Sequence, residues 1–244
     1  MCGIFASIGI PADPARLDMV AHRGPDGRGW SVLDSPCGPV ALGQRRLAII
    51  DTSEGGRQPM SDASGRIHLI NNGEIYNYLE LRAELEARGE VFVTSSDTEV
   101  LLRAYMVWGE AALERLRGMF AFVLWDAGKA TLFAARDRFG VKPLYFVAGP
   151  HGLAFASEIK QLLGLEGASP RMNLARVHDF LASGMADHTD ETMFAGVMQL
   201  RGGECLRLEA VARRKLEPVI RRWYSVPDCD GLSLGEREAG ERFK

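Results

Sequence analysis

The segment Met119–Asp126, MFAFVLWD, is apolar at both alternating positions, so a strand through it has no face to offer to water. Such a strand must lie between two covering layers. AGK at Ala127–Lys129 then turns the chain into Ala130–Arg136, ATLFAAR, a hairpin partner of the same character. A second hairpin follows, from Leu144–Ala148 through the turn GPHG to Leu153–Ala156. Cys2–Ile10, Val40–Ile50 and Ile67–Ile70 complete the strand-like runs.

Helical periodicity is confined to segments between these hairpins. Tyr78–Arg88 carries Leu81 and Leu85 at i and i+4, with Gly89 where a C-cap glycine belongs. Asp97 stands at the start of TEVLLRAYMVW, whose Val100, Leu101, Ala104, Tyr105 and Trp108 form one apolar stripe ending at Gly109. Asn173 is a candidate cap for a third helix, with Leu174, Val177 and Leu181 predicted to face inward before Gly184. Two helices inserted together between groups of hairpins imply layered sheets flanked by helices, not alternating β-α units.

At 244 residues the chain suits one large domain, or one domain plus part of another. A net charge of −3 gives no sign of nucleic-acid binding. The four cysteines, Cys2, Cys37, Cys205 and Cys229, are widely spaced and read as reduced. The N-terminus has no signal-peptide pattern and no apolar run is long enough to span a bilayer. The expectation is a soluble, cytoplasmic protein. The five histidines lack metal-ligand spacing, so no metal site is expected.

Polar clusters lie between the elements. His22–Trp30, HRGPDGRGW, reads as one turn-rich segment, and Gln44–Asp51, QRRLAIID, closes a strand with two arginines on opposite faces. Asn71–Tyr78, NNGEIYNY, reads as a strand-to-helix junction whose glycine leaves backbone N–H groups free for an anion or oxyanion. Taken singly, each has an ordinary structural use: Asp97 as a cap, Asn72-Gly73 as a turn, Arg46 as a solvated strand-end residue. Cys2 likewise has two readings: a small buried hydrophobe, or, once Met1 is removed, a terminal residue bearing both a thiol and a free α-amine.

In order along the chain, MCGI, HRGPD, RRLAIID, NGEIYNY, SDTEVLL, RGMFAF, RDRFGVKPLY and FASEIK resemble the glutaminase domain of glutamine-hydrolysing asparagine synthetases. That is a class II amidotransferase domain of the N-terminal-nucleophile (Ntn) hydrolase class. The resemblance runs from Cys2 to about Leu163 and continues more loosely to Arg221–Tyr224. It implies an α+β, four-layer αββα sandwich of two mainly antiparallel sheets flanked by helices. It also implies Cys2 as nucleophile, with Asn72 (side-chain amide) and Gly73 (backbone N–H) as oxyanion hole. Arg46 would clamp the substrate α-carboxylate, Leu47, Ala48, Ile49 and Ile50 would line the pocket, and Glu74 and Asp97 would receive the α-ammonium. The substrate is then free L-glutamine. Gln44 departs from the histidine common at its position in the family.

The domain is expected over residues 2–224, with 225–244 as a linker toward an ATP-pyrophosphatase synthetase domain. No SGG-D-S loop or GxxxxGK[ST] motif occurs in this chain, so no cofactor is expected in it. ATP and magnesium belong with the synthetase domain, a partner in cis or trans; nucleic acid and membrane are not expected as partners, and a homodimer is left open. Three functional classes follow. The first is a glutaminase feeding asparagine synthesis. The second is the same half-reaction serving a peptide, glycan or sugar-phosphate acceptor, and the third a non-catalytic Ntn-fold module.

Overall fold

The computed structural model describes residues 1–211 and 216–226, together with 238, 240 and 241. In chain order its strands are β1 (Gly3–Ile8), β2 (Gly27–Leu33), β3 (Val40–Arg46), β4 (Met60–Ser61), β5 (Ile67–Ile75) and β6 (Gly118–Asp126). Next come β7 (Thr131–Arg136), β8 (Tyr145–Ala148), β9 (Leu153–Ala156), β10 (Met198–Gln199), β11 (Glu204–Glu209) and β12 (Val219–Arg222). The α-helices are α1 (Ala15–Asp18), α2 (Tyr78–Glu86), α3 (Asp97–Trp108), α4 (Ala112–Arg115) and α5 (Leu174–Ser183). Among the described residues the strands form two six-stranded sheets, ordered β10-β8-β9-β1-β3-β2 and β12-β11-β7-β6-β5-β4. Every strand pair in both sheets is antiparallel.

The two-sided apolarity of β6 is accounted for by what covers each face. Ala121, Val123 and Trp125 point between the sheets, where Ile70 and Ala134 meet Ile4, Leu42 and Phe155 from the opposite sheet. Phe120, Phe122 and Leu124 point the other way, onto Leu81 and Leu85 of α2 and Leu101 and Tyr105 of α3. Each large side chain buried in this way contributes roughly 1.5–3 kcal/mol. The hairpin into β7 turns through Ala130, whose φ of 47° is left-handed.

On the outer face of the first sheet, Phe5, Ala154 and Ala156 pack against Leu17 of α1, Leu162 and Leu165. This fourth layer is thin, made of the four-residue α1 and a 3₁₀ turn at Ile159–Gln161 rather than long helices. Helix α5 does not complete it. Leu174 and Leu181, predicted inward, are 71% and 78% exposed, and no residue of α5 is buried. Asn173 also makes no side-chain cap hydrogen bond. The apolar stripe was legible, but only Val177 of it is half-buried.

Three boundaries differ from the sequence reading for local reasons. Strand β3 ends at Arg46, so Leu47–Ile50 leaves the sheet. β5 runs on to Ile75, so Asn71–Gly73 is strand and not a junction. The turn-rich HRGPDGRGW yields β2 from Gly27, paired along β3. Cys229 and most of the expected linker lie outside the described residues.

Candidate active site

The site forms where one end of each sheet meets the other. β1 and β3 are antiparallel with Gly3 opposite Arg45, which sets Cys2 beside Arg46. On β5, Met60 of β4 pairs with Leu69, and Ile67 accepts from Asp62 N–H, so odd-numbered residues of β5 direct their backbone groups away from β6. β4 begins at Met60, so beyond Leu69 that edge has no partner strand. Asn71, Gly73 and Ile75 therefore present N–H groups to an open edge. Asn71 N–H donates to Gln58 Oε1 at 2.6 Å and Ile75 N–H to Asp97 Oδ2 at 2.9 Å. Gly73 N–H lies between them with no acceptor among the described residues. A side chain at Gly73 would strike the Met119 carbonyl and Phe120.

The Asn72 side chain points the opposite way, into the space between the sheets. It is fully buried, and neither Nδ2 nor Oδ1 has a hydrogen-bond partner. An amide so placed is costly unless a ligand satisfies it. Cys2 Sγ lies 3.3 Å from the Leu47 N–H, which donates to it, and 3.6 Å from the Leu47 carbonyl. Burial raises the Cys2 thiol above its ordinary pKa, opposed by the Leu47 N–H, the N-terminal charge, Lys142 and Arg46. These groups share one cavity of about 200 Å³. That is below the roughly 300–1,000 Å³ typical of drug-sized ligands and fits a small polar molecule.

The cavity lining also carries ionisable groups of both signs. Arg46 donates to the carbonyls of Ser53, at 2.8 Å, and Asp51, which leaves N–H groups of its guanidinium for a ligand. A side chain at Gly56 would collide with that guanidinium. Asp51 shapes the loop by accepting from Ser53 and from Ser95 N–H. Burial and the nearby Glu74 raise Asp97, another lining residue, to about 6, against hydrogen bonds from Ile75 and Thr98 that lower it. The helix cap is Ser96, whose Oγ accepts from Thr98 N–H at 3.1 Å, and not Asp97. Asp97 is thereby spared the capping task.

Of the residues expected here, Cys2, Arg46, Leu47, Ile49, Ile50, Asn72, Gly73, Glu74 and Asp97 line the cavity. Ala48 does not; its N–H is held by Asp26 Oδ2 at 2.9 Å. Sequence reasoning gave no role to three further residues. Arg23 donates from Nε to the Cys2 carbonyl at 2.9 Å and is itself held by Glu158. Asp26 accepts from Ala48 and donates its N–H to the Arg46 carbonyl, so HRGPD brackets both Cys2 and the residues after β3. Lys142 is buried in the cavity wall. A charged residue inside an apolar run, as in GVKPLY, was the available signal for the last.

Residues 1–224 match the family model described as a glutamine amidotransferase domain. The chain belongs to this family. The glutamine amidotransferase domain is 39% identical over 246 residues to a putative glutamine-hydrolysing asparagine synthetase of Mycobacterium tuberculosis, covering 92% of this chain and 37% of that protein. It is 50% identical over 145 residues to asparagine synthetase (glutamine-hydrolysing) 1 of Bacillus subtilis, covering 59% of this chain and 22% of the relative. The domain thus spans about a third or less of the length of these curated relatives. Among solved structures, glutamine phosphoribosylpyrophosphate amidotransferase from B. subtilis aligns with a TM-score of 0.62 at 22% identity, over 91% of this chain and 49% of that one. That likeness bears on the fold, an Ntn-hydrolase sandwich. No helix among the described residues is long and apolar enough to cross a membrane.

Proposed function

We propose that this glutamine amidotransferase domain hydrolyses free L-glutamine to glutamate and ammonia through a thioester on Cys2. The observation that carries the reading is the coincidence, in one small cavity, of a thiol, a buried unpartnered amide and a free strand-edge N–H. Arg46 and Asp97 line the same cavity. The charged pair suits the α-carboxylate and α-ammonium of an amino acid, and a guanidinium takes a carboxylate in bidentate fashion.

With Met1 removed, the α-amine of Cys2 is a base of pKa about 7.7–8.0 next to its own thiol. It takes the thiol proton as sulfur adds to the side-chain carbonyl carbon of glutamine, whose π pair moves to oxygen. Asn72 Nδ2 and Gly73 N–H are donors for that oxyanion. Collapse expels the nitrogen, which takes the proton from the ammonium and leaves as ammonia. Water then adds to the thioester, losing its proton to the same amine, and glutamate departs as sulfur is reprotonated. While Met1 is attached, the Cys2 nitrogen is an amide and cannot serve.

In the longer relatives the name asparagine synthetase describes the whole protein. We read this domain as the ammonia source for an aspartate-activating partner that uses ATP and magnesium, in a cytoplasmic enzyme. The test is ammonia release from glutamine by wild type and Cys2→Ala, with circular dichroism as the check on folding. The folded alanine variant is expected to release none; near wild-type ammonia release by it would overturn the nucleophile assignment.

A further inference from the structure

We infer that Gln44 and Gln58 are positioning residues that aim the oxyanion-binding segment, by holding the two peptide groups on either side of Asn71. The inference rests on the glutaminase reading above. Gln58 Oε1 accepts from Asn71 N–H at 2.6 Å, and Gln44 Nε2 donates to the Asn71 carbonyl at 2.7 Å. That carbonyl belongs to the peptide leading directly into Asn72. Gln58 is anchored in turn, donating from Nε2 to Thr98 Oγ1 at 3.0 Å. The result is a rail of hydrogen bonds from α3 through Gln58 and β5 to Gln44 on the opposite sheet.

The physical point lies in what the rail leaves open. Had β4 continued along β5, it would have paired with the edge groups in turn, Gly73 N–H among them. Side-chain acceptors instead satisfy single positions: Gln58 takes residue 71, Asp97 takes residue 75, and residue 73 stays free. Both glutamines are more than nine-tenths buried, so losing either partner strands a backbone group without water. A freed Asn71 peptide rotates to find another partner, and rotation there swings both the Asn72 side chain and the Gly73 N–H. Misplacement of catalytic groups by about 1 Å costs on the order of 100-fold in rate.

The experiment compares wild type, Gln44→Met and Gln44→His in steady-state glutaminase kinetics. Iodoacetamide alkylation of Cys2, which needs no oxyanion hole, is measured alongside. Gln44→Met, similar in volume but without a donor, is expected to lower kcat about 10- to 100-fold with KM within about threefold and alkylation unchanged. Gln44→His supplies an N–H donor again and is expected to recover most of kcat. If Gln44→Met does not fold, Thr98→Val removes the anchor of Gln58 and is expected to show the same kcat-weighted pattern on a smaller scale. A kcat within twofold of wild type would overturn the inference, as would alkylation falling in step with kcat or failure of the histidine to rescue. Wild type that alkylates at Cys2 yet releases no ammonia would sink the glutaminase reading and this inference with it.

Discussion

At the scale of single residues, the roles proposed for Arg46 and Asn72 make separable demands on glutamine. In the proposed role Arg46 would meet a carboxylate that is charged in ground and transition states alike, so Arg46→Ala is expected to raise KM about 10- to 100-fold with kcat changed far less. In the proposed role Asn72 would meet a charge that exists only along the reaction path, so Asn72→Ala is expected to lower kcat about 10²- to 10³-fold. Steady-state kinetics on both variants checks the assignment; the reverse pattern would exchange the roles. Asp97 adds a pH signature. Its carboxyl is raised to about 6, so as pH falls through 6 it protonates and, in the proposed role, would lose its attraction for the substrate ammonium. KM should therefore climb below pH 6, where a carboxylate of ordinary pKa, near 3.9, would keep it flat to about pH 5. In Asp97→Asn, KM should be high and lose that rise; a wild-type KM flat to pH 5 would contradict the assignment.

At the scale of elements, the site depends on how α3 meets β5. Ser96 caps the helix and Asp97 holds the strand edge, two adjacent residues with different tasks. Ser96→Ala is expected to cost about 1 kcal/mol, seen as a melting point lower by about 2–4 °C. Its effect on kcat should be small if Asp97 stays in place. Gly73→Ala is a harsher change, because the added carbon meets the Met119 carbonyl and forces β5 from β6. About 1–3 kcal/mol of stability should be lost along with most of the turnover, a pairing that denaturant melts and kinetics can report together. These element-level tasks were only partly readable. The pattern SSDTEV announces a helix start, but serine and aspartate are both good caps, and only the contact with Ile75 N–H decides between them.

At the scale of the whole molecule, two antiparallel sheets with apolar inner faces form a rigid frame, and the chemistry sits at one end of it. No glycine-rich loop of phosphate-binding spacing occurs in the sequence. Incubated with glutamine, aspartate, magnesium and ATP, this chain is expected to release ammonia while forming neither asparagine nor pyrophosphate. Glutamine-dependent pyrophosphate release would show a nucleotide site that the sequence does not announce.

Strands β1, β3 and β5 to β9 with helices α2 and α3 were legible because they rest on short-range rules, and most cavity residues were legible through the motifs that resemble the amidotransferase family. An apolar period of two fixes a strand and its buried faces, and ordered motifs carry reactive residue types at set spacings. Three things needed the folded chain. The apolar stripe of α5 says that a face is available, but burial requires another element to cover it, and Leu174 and Leu181 stay exposed. Arg23 and Lys142 acquire their places beside Cys2 through contacts more than twenty residues apart, which no local window can weigh. The free Gly73 N–H arises because β4 pairs no further along β5 than Leu69, while Gln58 and Asp97 close the positions on either side. Residue types are written locally; whether a backbone N–H is spent or available is set by what lies across the strand edge, and only the tertiary structure decides that.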